Sequence, residues 1–142
     1  PALCKPRPKT LRWPHEPACQ LLERAAQQKP IRIGLIGAGK FGSMYLAQVP
    51  RTPGVHLVGI ADLSPAGVHT NLARVGWEPE RLQAKSLDDA VKLGTTHVSE
   101  DWQALVRHPA IDVVVECTGS PLRGGPYFGS LCTPQTCGER DR

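Results

Sequence analysis

Aromatic residues make up only 5% of this 142-residue chain. That is too few to interleave a basic surface with base-stacking rings, and nucleic-acid recognition is not expected. An excess of one charge is also missing where it would matter. The net charge of +4 lies in residues 1–30, which hold six basic residues (Lys5, Arg7, Lys9, Arg12, Arg24, Lys29) against Glu16 and Glu23. Residues 31–142 carry 11 basic and 11 acidic side chains and are neutral overall. The stretch Cys4–Arg12 reads as a solvated tail. Long hydrophobic runs are lacking too: the longest unbroken aliphatic run, about Val113–Val115, is far below the roughly 18 apolar residues of a membrane span. No charged n-region followed by an apolar h-region opens the chain, so a cytoplasmic protein is expected. Five cysteines (Cys4, Cys19, Cys117, Cys132, Cys137) form no C-x-x-C pair, and their odd number argues against a disulfide framework. Reduced thiols and no zinc site are the expectation. His56, His69, His97 and His108 form no i,i+4 couple and read as surface or structural residues.

With 40% hydrophobic and 21% charged residues, the chain has the composition of one soluble globular domain. Its composition divides it into an irregular basic arm over 1–17, a domain over 18–121, and a Gly/Pro-rich tail over 122–142. The arm holds five of the 14 prolines, and residues 119–142 hold five glycines and three prolines. The domain opens with Ala18, Leu21, Leu22 and Ala25 at helical spacing, a short amphipathic helix over 18–29.

Apolar strand-like runs then alternate with helix-period segments. Ile31–Ile36 and Val55–Ala61 are buried strands. Between them Gly42, Tyr45, Leu46 and Val49 share one helical face, closed by Pro50. Ser64-Pro65 is an N-cap followed by a first-turn proline, with Val68, Leu72 and Val75 as the apolar stripe. Ser86 caps a short helix with Asp88 and Asp89 in its first turn, stopped by Gly94. Thr95–Val98 is a weak third strand, and Glu100-Asp101 opens a helix carrying Trp102, Leu105 and Val106. Ile111–Val115 is the fourth strand. Strand–helix alternation predicts parallel pairing, hence an α/β, Rossmann-like doubly wound parallel sheet, incomplete at about four strands.

The chemistry is concentrated in Gly37-Ala38-Gly39-Lys40-Phe41-Gly42, a G-x-G-x-x-G that leaves a strand and opens a helix inside a βαβ unit. Gly37 permits the tight turn, Gly39 lacks the Cβ that would strike an approaching pyrophosphate, and Gly42 lets the helix pack closely. The first-turn N–H groups and the positive helix end then meet the phosphates. Asp62 follows the second strand, 20 residues past Gly42, where a carboxylate accepts from the adenosine ribose hydroxyls and repels a 2′-phosphate. No Arg stands beside it, which leans towards NAD; Lys40 could offset a 2′-phosphate, and NADP stays open. Gly34 to Lys40 also satisfies G-x-x-x-x-G-K, but Phe41 stands where the Mg²⁺-binding Ser or Thr belongs, so ATP hydrolysis is rejected.

A second stretch, Asp112 to Pro121, is a strand ending in Thr118-Gly119, which sets small polar groups beside the nicotinamide half of the crevice. Cys117 is open to reading as a nucleophile, but no nearby His supports that, and a half-buried structural thiol is the simpler reading. Glu116 is either a general acid–base group or a packed strand-end carboxylate.

These motifs resemble the N-terminal domain of homoserine-dehydrogenase-like NAD(P)-dependent oxidoreductases. The resemblance rests on Ile31–Ser43, Gly59–Ser64 and Asp112–Gly119, over about residues 21–121. Thr95–Trp102 and Leu105–Pro109 are similar to the subgroup with a later SAF-type domain, which includes deoxyxylulose phosphate reductoisomerase-like reductases. The resemblance implies hydride transfer between a nicotinamide and a small carbonyl, hydroxy or sugar-phosphate substrate. It implies cofactor contacts from Gly37, Ala38, Gly39, Lys40, Phe41 and Gly42, from Asp62, and from Cys117, Thr118 and Gly119. The reductoisomerase-like members are associated with NADPH, in tension with Asp62. Past Pro121 and before residue 18 the likeness stops, and the second half of the fold and the catalytic domain are expected to be absent. An exposed sheet edge and homo-oligomerisation are expected in consequence. The alternative is a non-catalytic dinucleotide-binding module or an inactive fragment. The catalytic residues are unassigned.

Overall fold

A computed structural model of the chain describes residues 17–119. The arm expected before Pro17 and the tail expected over 122–142 lie outside the described residues.

Four parallel strands form one sheet in the order β3-β2-β1-β4: β1 is Ile31–Ile36, β2 Val55–Ala61, β3 His97–Ser99 and β4 Val113–Glu116. The chain winds outward from β1 through β2 to β3, then returns to the other side of β1 for β4. This is the doubly wound arrangement, and it puts the topological switch between β1 and β4. β1 is an interior strand, and its last four residues are buried. That burial explains an apolar run without polar alternation.

Helices cover both faces. On one, Leu46 of α2 (Lys40–Gln48) and Val68 and Leu72 of α3 (Pro65–Arg74), numbered after α1 (Pro17–Ala26), pack on Ile33, Leu35, Leu57 and Ile60. On the other, Leu105 of α5 (Trp102–Arg107) packs on Ile36 and Ala61, while Ala90 of α4 (Leu87–Leu93) packs on Val58. Ile33 faces Leu57 but Gly34 faces Gly59, so Val58 is the extra residue of a β-bulge. α5 lies unusually close to the sheet. A Cβ on Gly59 would sit 2.4 Å from Leu105 Cδ1, and one on Gly34 3.0 Å from the same side chain. Two strand glycines thus form the socket of Leu105, shared at Gly59 with Leu87, whose Cδ2 lies 2.6 Å from the same Cβ position, and this seating holds the start of α5 at the carboxyl edge of the sheet.

The caps follow local chemistry. Ser64, Ser86 and Asp101 each accept a first-turn N–H from their side chains, and Gly94 ends α4 in the left-handed conformation at φ 69°. Four boundaries differ from expectation. α1 ends at Ala26 rather than 29, because Gln28 adopts φ 55°, Lys29 N–H turns back to Arg24 O, and Pro30 follows. α2 gives way at Val49 to a 3-10 turn over Val49–Arg51. β3 starts at His97 rather than Thr95, because Thr95 N–H closes α4 on Ala90 O and Thr96 bonds Arg81 O and Leu57 O. β4 runs Val113–Glu116 rather than 111–115; Ile111 N–H is held in a turn by His108 O. One thiol expectation is also corrected. Cys19 is disulfide-bonded, so reduced cysteines throughout do not hold; among the described residues Cys117 is the free one. Three of the histidines act structurally: His56 pairs with Thr95 O, His97 with Ala84 O, and His108 with Asp88, while His69 is exposed on α3. Among the described residues no helix is long and apolar enough to cross a membrane.

Candidate functional site

The glycine turn takes its shape from three different constraints. Gly37 leaves β1 at φ 88°, and a Cβ there would lie 2.9 Å from Thr118 N, so only glycine combines this backbone with this approach to the end of β4. At Gly42 a Cβ would come within 2.3 Å of Gly37 O, which makes it the point where α2 presses on its own entry turn. Gly39 is the reverse case: nothing stands within 4 Å of its Cβ position. It is the N-cap of α2, without a side-chain cap, so the opening N–H groups of the helix keep no side-chain acceptor.

Ala38, between the two glycines, is 2% exposed and fixed through both backbone groups. Its N–H donates to Asp62 Oδ2 at 2.8 Å, and its carbonyl accepts from Asn71 Nδ2 at 3.2 Å. Ser43 Oγ donates to Gly39 O at 2.9 Å and ties the first turn together. Lys40 and Phe41 are exposed, Phe41 at 71%, so neither side chain belongs to the core.

Asp62 sits at the end of β2, its own N–H donating to Ser99 O at 3.0 Å. Its Oδ1 accepts from Ser64 N at 2.9 Å, and the two backbone donors aim the carboxylate while leaving lone pairs on both oxygens. Across the switch point, Cys117 N–H donates to Ile36 O at 2.7 Å, and Glu116 Oε1 accepts from both the N–H and the hydroxyl of Thr118. Glu116 is thereby committed to shaping its own strand end. Gly119 follows at φ 69°.

These elements meet in a cleft of about 160 Å³. Gly37, Gly39, Asp62, Cys117 and Thr118, all candidates from the sequence, line it beside Ile36 and Ala61, and Leu63, Glu100 and Trp102 complete the wall. The sequence assigns no cofactor contact to these three. Leu63 arrives beside Asp62 at the end of β2, while Glu100 and Trp102 are placed by topology, since pairing β3 beside β2 delivers the residues after Ser99 to the same edge. Ala38, Lys40, Phe41, Gly42 and Gly119 stand around the turn and strand end without lining the cleft. The donor set fits a dinucleotide: uncapped helix N–H groups for a pyrophosphate, an open Cβ position above them, and a held carboxylate one strand away.

Burial pushes the Cys117 thiol up from its ordinary value, and the Glu116 charge adds to this. The facing Tyr45 hydroxyl is raised by burial and then by Cys117. Cys117 is therefore a protonated thiol at neutral pH and not an activated nucleophile. Because its folded pKa is raised, its contribution to stability is present below the unfolded value and lost as pH rises through the folded one. Alkylation of Cys117 by iodoacetamide, followed by peptide mass spectrometry, is expected to be several-fold slower at pH 8 than that of an exposed peptide cysteine. An equal rate would contradict this.

A second cleft, of about 270 Å³, opens at the opposite, amino edge among Thr52, His56, Trp77, Arg81 and Thr96. It is larger, but its polar groups are largely spent on the protein. His56 Nε2 pairs with Thr95 O, Thr52 Oγ1 donates to Gln48 O, Trp77 Nε1 to Leu46 O and Thr96 Oγ1 to Leu57 O. Volume alone does not mark the functional site.

No curated protein matches the chain at a significant level. A family match does exist over residues 31–128, to GFO_IDH_MocA, the oxidoreductase family with an NAD-binding Rossmann fold. It starts at the first residue of β1 and takes in the glycine turn, Asp62 and the end of β4. The expected likeness to NAD(P)-dependent oxidoreductases thus stands at this broader level, and the chain belongs to the GFO_IDH_MocA family of oxidoreductases.

Proposed function

We propose that this chain holds a nicotinamide dinucleotide across the carboxyl edge of its sheet for hydride transfer with a small carbonyl, hydroxy or sugar-phosphate substrate. The observation that carries the reading is the contrast among the glycines. Two have their Cβ positions blocked by backbone, while Gly39 faces open space above uncapped helix N–H groups. The pyrophosphate rests on the turn from Gly37 to Gly42, with Lys40 and Phe41 supplying first-turn N–H groups, and Asp62 takes the adenosine ribose. Cys117, Thr118 and Gly119 border the nicotinamide. Bound there, the nicotinamide supplies the hydride chemistry, and the protein orients it. The finer placement, among homoserine-dehydrogenase-like reductases, rests on the resemblance of Thr95–Trp102 and Asp112–Gly119.

One observation favours a cofactor-holding role without turnover by residues 17–119 alone. Among the described residues lining the cleft, the thiol stays protonated, and Glu116 beside it is engaged with Thr118. Neither Cys117 nor Glu116, the groups assigned to the nicotinamide end, is then set up for proton transfer.

Calorimetric titration of the wild type and Asp62→Ala with NAD⁺ tests the assignment. Loss of a charge-assisted hydrogen bond, roughly 1.5–3 kcal/mol, is expected to weaken NAD⁺ about tenfold or more. Unchanged affinity would refute the role of Asp62.

A further inference from the structure

Residue Glu100 follows β3 directly, as Asp62 follows β2, and the two strand ends are neighbours. Ala61 pairs with Ser99, and Asp62 N–H donates to Ser99 O at 3.0 Å. Both acidic residues line the switch-point cleft at the end assigned above to the adenosine ribose, while no Lys or Arg among the described residues lines it. Their environments differ. Asp62 is half-buried and held by Ala38 N–H and Ser64 N–H; Glu100 is exposed. Asp62 therefore combines two tasks, bracing the glycine turn and facing the ribose, and its replacement disturbs both. Glu100 adds negative potential to the same wall and is separable from the turn.

We infer that Glu100 is a specificity-determining residue that, together with Asp62, selects a dinucleotide with a free ribose 2′-hydroxyl over one bearing a 2′-phosphate. The inference rests on the dinucleotide reading proposed above. A 2′-phosphate brings a charge of roughly −1.5 to −2 towards two carboxylates with no cation in the cleft wall to offset it. An unphosphorylated ribose brings hydroxyl donors, which Asp62 accepts, and no charge for Glu100 to repel. The repulsion is long-ranged and solvent-screened, so it decreases with salt, unlike a steric filter.

The test is calorimetric titration of the full chain and of Glu100→Gln with NAD⁺ and NADP⁺ at low and high ionic strength. The wild type is expected to prefer NAD⁺. Glu100→Gln, at an exposed position, is expected to change NAD⁺ affinity by less than about twofold and to tighten NADP⁺ about fivefold at low salt, as for one charge acting on a dianion across several ångströms of largely aqueous medium. The gain should shrink at high salt. A wild type that binds NAD⁺ while Glu100→Gln leaves the NAD⁺/NADP⁺ ratio unchanged, or a wild type that prefers NADP⁺, would overturn the role of Glu100 and leave dinucleotide binding standing. A wild type that binds neither coenzyme would remove both.

Discussion

Gly39→Ala is expected to fold like the wild type and lose its coenzyme, whereas Gly42→Ala is expected to lose both. The difference follows from what a methyl group meets. At Gly39 it projects into open space, and N-cap φ and ψ of −69° and −154° are accessible to alanine. The unfolding free energy should therefore change by less than about 0.5 kcal/mol, as for an unconstrained surface substitution. The same methyl occupies the space over the helix N–H groups that a pyrophosphate needs, so affinity should fall by at least about tenfold, or 1.4 kcal/mol. At Gly42 the methyl would stand 2.3 Å from Gly37 O, an atom of a buried backbone turn that cannot swing aside as a side-chain end does. Overpacking of this kind costs typically about 1–3 kcal/mol, and here it also displaces the turn itself. Denaturant unfolding with coenzyme titration of both variants checks the pair. A Gly39→Ala variant that binds as tightly as wild type would separate Gly39 from any phosphate contact.

Leu105→Ala carries the largest expected loss of stability away from the turn. Leu105 is 1% exposed and packs on Ile36 and Ala61, and its side chain fills the space over Gly34 and Gly59. Neither glycine has a side chain to move into the void, and at the glycines only the ends of Leu87 and Ile111 border it, so much of the cavity should persist. The expected cost lies in the upper part of the roughly 2–5 kcal/mol range for buried leucine truncation. Urea unfolding should show a lower midpoint with an unchanged slope. Coenzyme affinity should fall too, since Leu105 seats the helix whose start, at Trp102, lines the cleft. A loss below about 1 kcal/mol would mean that α5 settles onto the sheet and that the two-glycine socket is not rigid.

Much of the fold was legible because local and tertiary signals agree. Ser64 before Pro65, Ser86 before Asp88 and Asp89, and Gly94 after Leu93 are caps in the sequence and caps in the structure. The runs Ile31–Ile36 and Val55–Ala61 are strands with the same limits. The errors fall where a partner distant in sequence decides the matter. Thr95 and Thr96 look strand-forming, yet their hydrogen bonds go to Ala90, Arg81 and Leu57. Ile111 belongs by pattern to β4 but is held in a turn. The glycine turn and Asp62 were legible as candidates because their chemistry is fixed by spacing. The bond from Ala38 N–H to Asp62 is not, nor are Glu100 and Trp102, whose place depends on which strand lies beside which. A single sequence has no term for that adjacency until the strand order is known.

The proposed role of this protein depends on where a nicotinamide dinucleotide touches it. An amide-resolved NMR titration of the full chain with NAD⁺ tests this most directly. The largest shifts are expected at the N–H groups of residues 39–42, with a second group at Asp62, Leu63, Cys117 and Thr118, and no change around His56, Arg81 and Thr96. Shifts concentrated instead at the amino-edge cleft, or none at saturating coenzyme, would contradict it.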